Sequence, residues 1–243
     1  MPVFSIILGF GTLLGLGWMA WQTSDKQVIL RLDSGLWVLF GSLVAGRMFY
    51  VAINWVYYQS HPLEIYQFWL GGISGPGALT GVLLTLVCVA LAKRQSLARL
   101  ADSILPLELT LTLAAWLGCW QAGCAYGIET NAWWGMPAKD EWGRIALRAP
   151  VQLLGALMTV GVIALLDWRQ RRPLYAGVAA SFGLLALGAE LLGFSFMRAD
   201  PTLIWRGLRA EAWSGMGFMV VAVVSLLASF YYSRKRALSG LPK

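Results

Sequence analysis

Three ionisable residues sit where an apolar chain places charge only for a reason. Arg47, Glu108 and Glu190 each lie inside a run of apolar residues. A charge in a hydrocarbon layer faces a partner, a cavity or an ion path. A guanidinium there can hold a phosphate or pair with an acid, and a carboxyl can relay a proton. Glu190, beside Gly188 and Gly193, has no local compensation, so it must be neutral, paired or solvated. A pair between Arg47 and Glu190 would serve both, and an Arg47 that snorkels to the interface is the alternative. Glu108 falls about one turn into its run, where the helix macrodipole favours a carboxylate. Cys119 and Cys124 are spaced either for a disulfide in an oxidising compartment or for two small buried residues, the commoner pattern. Between residues 123 and 149 the chain gathers Glu129, Lys139, Asp140, Glu141, Arg144 and Arg148 with Trp133, Trp134 and Trp142. The default reading of this segment is a solvated cap. With three cysteines and one histidine, His61, the usual metal-ligand cluster is not expected, nor is any cofactor.

The elements that must position these residues follow from composition. Of 243 residues, 58% are hydrophobic and 13% charged, with mean hydropathy +0.64. A soluble domain carries about 25% charged residues. Disorder, a secreted disulfide scaffold and a soluble enzyme are therefore excluded. A spanning helix needs about 20 apolar residues, and seven runs qualify, at about 3–21, 35–56, 73–92, 104–121, 151–166, 175–196 and 213–232. The expected fold is all-α, a polytopic membrane protein forming one transmembrane domain over 1–243, with an outer loop at 123–149. Nothing basic precedes Lys26, so the first run reads as a retained span and not a cleaved signal. Alternate connecting segments hold twelve Lys and Arg against six. That bias places the N-terminus outside and the C-terminus in the cytoplasm. The net charge of +7 is then explained by cytoplasmic loops, with no nucleic-acid partner. The 13 Trp and 8 Tyr read mainly as interfacial belts. The stretch Gly71-Gly72-Ile73-Ser74-Gly75-Pro76-Gly77 reads as a tight entry into the third span. Pro76 suits a first turn, and the backbone N–H groups there could meet a lipid phosphate.

Several motifs then line up in order. Gly46-Arg47-Met48-Phe49-Tyr50-Val51 resembles the G-x-R-L-x-Y-V stretch of bacterial prolipoprotein diacylglyceryl transferases. His61-Pro62-Leu63-Glu64-Ile65 and Trp69-Leu70-Gly71-Gly72-Ile73-Ser74 resemble that family's H-P-L-E-I and W-x-G-G-M-S run. Arg99-Leu100-Ala101-Asp102 with Pro106 is similar to its R-x-A-D-x-x-x-P stretch. Gly118, Gly123, Tyr126-Gly127, Trp134-Gly135, Arg148, Pro150 and Gln152 fall at the spacing of its signature loop and R-H-P-S-Q motif. The likeness covers about half the chain well and weakens beyond Gln152. It implies a bacterial inner-membrane protein that handles a phosphatidylglycerol-like lipid. Members move the diacylglyceryl group of that lipid to a lipobox cysteine thiol, which needs cations for the phosphate and a base for the thiol. The lipid-binding residues it implies are Arg47, Tyr50, Ser74, Gly75, Gly77, Trp116, Gly118, Tyr126, Gly127, Arg148 and Gln152.

The departures fall on the chemistry. Where the family has S-F-H-G-G, this chain reads Ser74-Gly75-Pro76-Gly77-Ala78, with Pro76 for the histidine. Its G-R-x-G-N-F becomes Ala115-Trp116-Leu117-Gly118-Cys119-Trp120, with Trp116 for the arginine and Cys119 for the asparagine. A following glutamate is Cys124. The H-P-S-Q-L-Y-E motif keeps Pro150 and Gln152 but has Ala149, Val151, Leu154 and Gly155. In the C-terminal R-x-x-x-E-F-F-R motif, either Glu190 or Arg198 finds a counterpart, but not both. Losing one such contact costs about 3–4 kcal/mol of barrier. The expectation is a diverged, non-catalytic, lipid-binding member or an accessory subunit of a larger membrane complex. The alternative is an active transferase working through displaced residues, Glu190 and Arg198 among them. A small transporter with Glu190 as proton relay is a weaker third reading.

Overall fold

The computed structural model describes residues 2–68, 71–170 and 175–239. Trp69 and Leu70 of the quoted motif, and Arg171, Arg172 and Lys243 of the charge comparison, lie outside the described residues. The apolar runs form α1 (Pro2–Trp21), α2 (Val28–Ile53), α4 (Gly75–Ala92), α5 (Leu97–Ala122), α6 (Val151–Gln170), α7 (Val178–Ser195) and α8 (Ala210–Ser239). All seven are long and apolar enough to cross a bilayer. A short α3 (Trp55–Tyr58) and a 3₁₀ turn, Pro62–Tyr66, fill the connection between α2 and α4. Two small antiparallel hairpins interrupt the helices. One pairs β1 (Met136–Lys139) with β2 (Ile145–Arg148), and the other pairs β3 (Ile204–Trp205) with β4 (Leu208–Arg209). The segment expected as a solvated cap is thus partly a sheet.

Small residues set the helix contacts, as expected where lipid gives no hydrophobic drive between helices. On α1, a Cβ added to Gly15 would meet the Leu107 Cα of α5 at 2.7 Å. Gly81 of α4 lies equally close to the Gly41 carbonyl of α2, and Gly188 of α7 to the Gly215 carbonyl of α8. A core of Met19, Val38, Val82, Leu86, Leu100, Ile104 and Leu107 joins α1, α2, α4 and α5. Smaller clusters join α4 to α7 and α8, and α5 to α6 and α7.

Several helices run further than the apolar runs. The second starts at Val28 and the fourth at Leu97, because a helix continues through polar turns that carry no hydropathy signal. Arg31 and Arg99 therefore sit in first turns and not in loops. Asp102 shows what such a turn does. Its carboxylate accepts from the backbone N–H of Gly177 at 2.6 Å and of Ala180 at 2.9 Å, so a side chain of α5 caps the start of α7. Glu108 is correspondingly three turns into α5, not one.

Seven crossings put the start of α1 and segments 54–68, 71–74, 123–150 and 196–209 at one end of the bundle, called here the hairpin end. The two hairpins are joined there: Ile128 N–H donates to the Met197 carbonyl and Ala199 N–H to that of Tyr126, both at 2.9 Å.

Candidate functional site

At the corner of α2 and α4, Arg47 is 2% exposed. Its guanidinium donates to four carbonyls: Ile65 at 3.0 Å, Glu64 at 2.5 Å, Gly71 at 2.5 Å and Gly72 at 3.1 Å. Its Cζ lies 5.3 Å from the centre of the Tyr58 ring, and Tyr50 meets Tyr58 edge-on at 6.3 Å. Gly72 adopts φ +74°, and a Cβ there would meet Arg47 Nη1 at 2.7 Å and Tyr50 at 2.6 Å. Arg47 therefore neither snorkels nor pairs with Glu190; it folds the entry loop around itself. Ser74 caps α4, its Oγ accepting from Gly77 N–H at 3.3 Å, with Pro76 in the first turn. Gly77 lets α4 approach Phe49, while Gly75 has open space around it.

Glu190, on α7 and 3% exposed, finds other partners. Trp116 Nε1 donates to its Oε2 at 3.1 Å, and Thr159 Oγ1 lies 3.1 Å from its Oε1. These bonds tie α5, α6 and α7 together. The Trp116 indole also fills the space above Gly155, where a Cβ would meet the ring, and stands edge-on to Phe194 at 5.6 Å. Two residues further along, Gly118 packs against Phe4. Cys119 and Cys124 form a disulfide across the end of α5, which corrects the reading of two small buried thiols. Gly123, at φ +76°, closes the helix between them.

The hairpin end carries two ion networks, each of two arginines and two acids. In the first, Arg148 is 4% exposed and lies 3.2 Å from both Asp140 and Glu129, and Arg144 also binds Glu129. Arg148 Cζ sits 4.8 Å above the Tyr126 ring. Burial, then the acids Glu141, Asp200 and Asp140, hold the Tyr126 hydroxyl above its ordinary pKa. Gln152 Nε2 donates to the Cys124 carbonyl at 2.9 Å. Gly127 must be glycine because Ala149 leaves no room for a Cβ. In the second network Arg198 binds Asp200 at 2.5 and 2.8 Å and lies 3.6 Å from Glu211. Arg209 meets Asp200 at 3.2 Å and Glu211 at 3.5 Å. Burial works against the Arg198 charge, but the bonds to Asp200 and the fields of Asp200 and Glu211 outweigh it and hold its pKa above the ordinary value.

The predicted residues thus fall into three groups. Arg47, Tyr50, Ser74, Gly75 and Gly77 share one corner. Tyr126, Gly127, Arg148, Gln152 and Arg198 share the hairpin end. Trp116 and Glu190 lie deeper in the bundle. Two polar atoms of the second group, Arg148 Nε and Gln152 Oε1, are buried without a hydrogen-bond partner among the described residues. One is a donor and the other an acceptor, so a hydroxyl or a water suits either, whereas a phosphate oxygen suits only the Arg148 Nε–H. Sequence reasoning noted Asp140 within the outer loop but gave no partner to it, to Asp200 or to Glu211, the acids that neutralise the arginines. Their spacing from those arginines, eight, two and thirteen residues, was the available signal.

Comparison with known proteins adds a second line of observation. The family model described as prolipoprotein diacylglyceryl transferase matches residues 1–228. A phosphatidylglycerol–prolipoprotein diacylglyceryl transferase of Bordetella parapertussis is 30% identical over 232 residues, covering 93% of this chain and 87% of that one. One of Thermosynechococcus vestitus is 29% identical over 216 residues, 85% and 75% of the two chains. One of Bacillus velezensis is 34% identical over 120 residues, 48% and 43% of the two chains.

Proposed function

Because the chain belongs to the prolipoprotein diacylglyceryl transferase family, as a multi-pass protein of the plasma membrane, we propose that it keeps that family's lipid-handling scaffold without its transfer chemistry. It binds a phosphatidylglycerol-like lipid and serves as a lipid-holding or accessory protein.

One observation carries this reading. Of the arginines at the hairpin end, the four in the two ion networks are already spent, and among the described residues only the exposed Arg206 has no acid beside it. Arg144 and Arg148 are matched by Glu129 and Asp140, and Arg198 and Arg209 by Asp200 and Glu211. Arg47 is given to carbonyls. Stabilising a leaving phosphate needs preorganised positive charge that is free to meet it. Breaking a buried pair to free one arginine costs about 3–5 kcal/mol. The positions resembling the family's arginine, asparagine and glutamate hold Trp116 and the Cys119–Cys124 disulfide, and none of these donates charge or takes a proton from a thiol. Lipid binding survives in this account because Arg148 Nε and Gln152 Oε1 keep an open donor and acceptor in a buried place.

The test is direct. Purified chain, phosphatidylglycerol and a lipobox peptide should give no diacylglyceryl transfer, and the gene should not rescue bacteria depleted of their transferase. Transfer above background, abolished by Arg148→Ala or Arg198→Ala, would establish the active alternative. Purification in mild detergent reads the accessory role: a stoichiometric partner supports it, and a clean, lipid-loaded single chain leaves the lipid-holding role alone.

A further inference from the structure

Beside the last turn of α5, on the outer side of the β1–β2 hairpin, Trp120, Gln121, Pro137, Ala138, Lys139 and Ile145 line a shallow cleft. Its polar groups are all donors in waiting. Among the described residues, the Lys139 ammonium has no ion-pair or hydrogen-bond partner, and neither does the Trp120 indole N–H or the Gln121 amide. The contrast with the neighbouring arginines is sharp, since each of Arg144, Arg148, Arg198 and Arg209 is matched by an acid. The walls are apolar: Pro137 and Ile145 are exposed, Ile145 at 64%. Below Trp120 the same face of α5 continues through Leu117, 42% exposed, and half-buried Leu113. Residues three and seven positions apart share a helix face, so this stripe runs from the cleft into the lipid-facing side of the span.

We propose that this cleft seats the phosphate headgroup of an anionic phospholipid from the surrounding leaflet, with an acyl chain lying on the Leu117 and Leu113 stripe. Lys139 meets the phosphate charge, and the Trp120 indole and Gln121 amide donate to phosphate or glycerol oxygens. A free cation next to an indole at a membrane interface is the chemistry of anionic-lipid recognition. The exposed Leu117 and half-buried Leu113 below the cleft give an acyl chain a surface to lie on, which favours a lipid headgroup over an acidic protein segment. This seat stands apart from the buried Arg148 and Gln152 position and does not depend on it.

Delipidated full-length chain in detergent is titrated with dioleoyl phosphatidylglycerol or dioleoyl phosphatidylcholine, and bound lipids are counted by native mass spectrometry. Wild type should take up a phosphatidylglycerol that Lys139→Gln binds about five-fold more weakly, while Lys139→Arg retains it. Trp120→Phe, which keeps the ring and loses the N–H, should weaken uptake to a smaller degree. Excess inorganic phosphate should leave the lipid bound. Equal phosphatidylglycerol uptake by wild type and Lys139→Gln overturns the seat, as does equal preference for phosphatidylcholine. Displacement by inorganic phosphate alone overturns the lipid as occupant. A chain that takes up Lys139-independent phosphatidylglycerol loses this seat but keeps its proposed function; a chain that takes up none loses both.

Discussion

At the scale of single residues, the buried charges divide by how they are satisfied. Arg47 spends its donors on four backbone carbonyls, and lysine cannot reproduce that fork. Arg47→Lys should lower the thermal midpoint in detergent, and Arg47→Leu should cost about 2–5 kcal/mol by orphaning carbonyls. A neutral Arg47→Leu would remove its assigned role. Glu108 is the opposite case: the described residues offer its carboxyl neither a hydrogen bond nor an ion pair. Glu108 is half-buried within its apolar span, and a polar group desolvated without compensation costs up to about 1–3 kcal/mol, so Glu108→Leu should raise the thermal midpoint. A fall would mean that the carboxyl is used. Glu141 titrates at the surface of the hairpin end, where burial and then its neighbours Asp200 and Asp140 raise its pKa. A raised carboxyl favours the folded chain when protonated. That contribution is complete below the ordinary carboxylate pKa and is lost as pH rises through the higher folded value. The thermal midpoint of wild type should therefore fall relative to Glu141→Gln as pH rises above the ordinary carboxylate range; parallel profiles would refute it. Sequence alone marked Arg47 and Glu190 as unusual but could not assign their partners. Those partners are carbonyls from a later loop and an indole and hydroxyl from other helices, and neither class advertises itself as a charge complement.

At the scale of elements, apolar periodicity located every span but misjudged ends. Hydropathy reports burial in lipid, while helices end where capping ends. The opening turns holding Arg31, Arg99 and, one turn on, Asp102 are polar and helical at once. The hairpins escaped notice because two- and four-residue strands have no readable period. The disulfide was legible as an option only, since spacing alone does not separate a bridge from two packed thiols. Closing so short a loop stabilises by about 2 kcal/mol in the chain-entropy account. Cys119→Ala/Cys124→Ala should thus lower the thermal midpoint, and reductant should lower that of wild type but not of the double variant. Equal sensitivity in both would dismiss the bridge. Asp102→Ala removes two bonds from the start of α7 and should cost about 1 kcal/mol, seen as faster amide exchange at residues 177–180.

At the scale of the molecule, the charge bias and the bridge point the same way. By sequence, the alternate connecting segments without the hairpins hold twelve Lys and Arg against six, and disulfides persist in oxidising compartments. The hairpin end should therefore face outward. A reporter enzyme active only outside should work when fused within 123–149, and a fluorescent protein at the C-terminus should mature; the reverse pattern would invert the topology. Both ion networks are neutral by composition, so the hairpin end presents Lys139 and Arg206 as cations without an acidic partner among the described residues. The architecture was readable from sequence because bilayer thickness dictates helix length. The loss of free charge was not, because it depends on which acids two separate loops and the first turn of α8 bring to the arginines. The Asp102 cap also has a temporal side. Translation delivers α5 to the bilayer before α7, so the carboxylate is already waiting when residue 177 emerges. The seventh span then has a receptor for its leading edge during biogenesis, and an order of assembly is written into a single side chain.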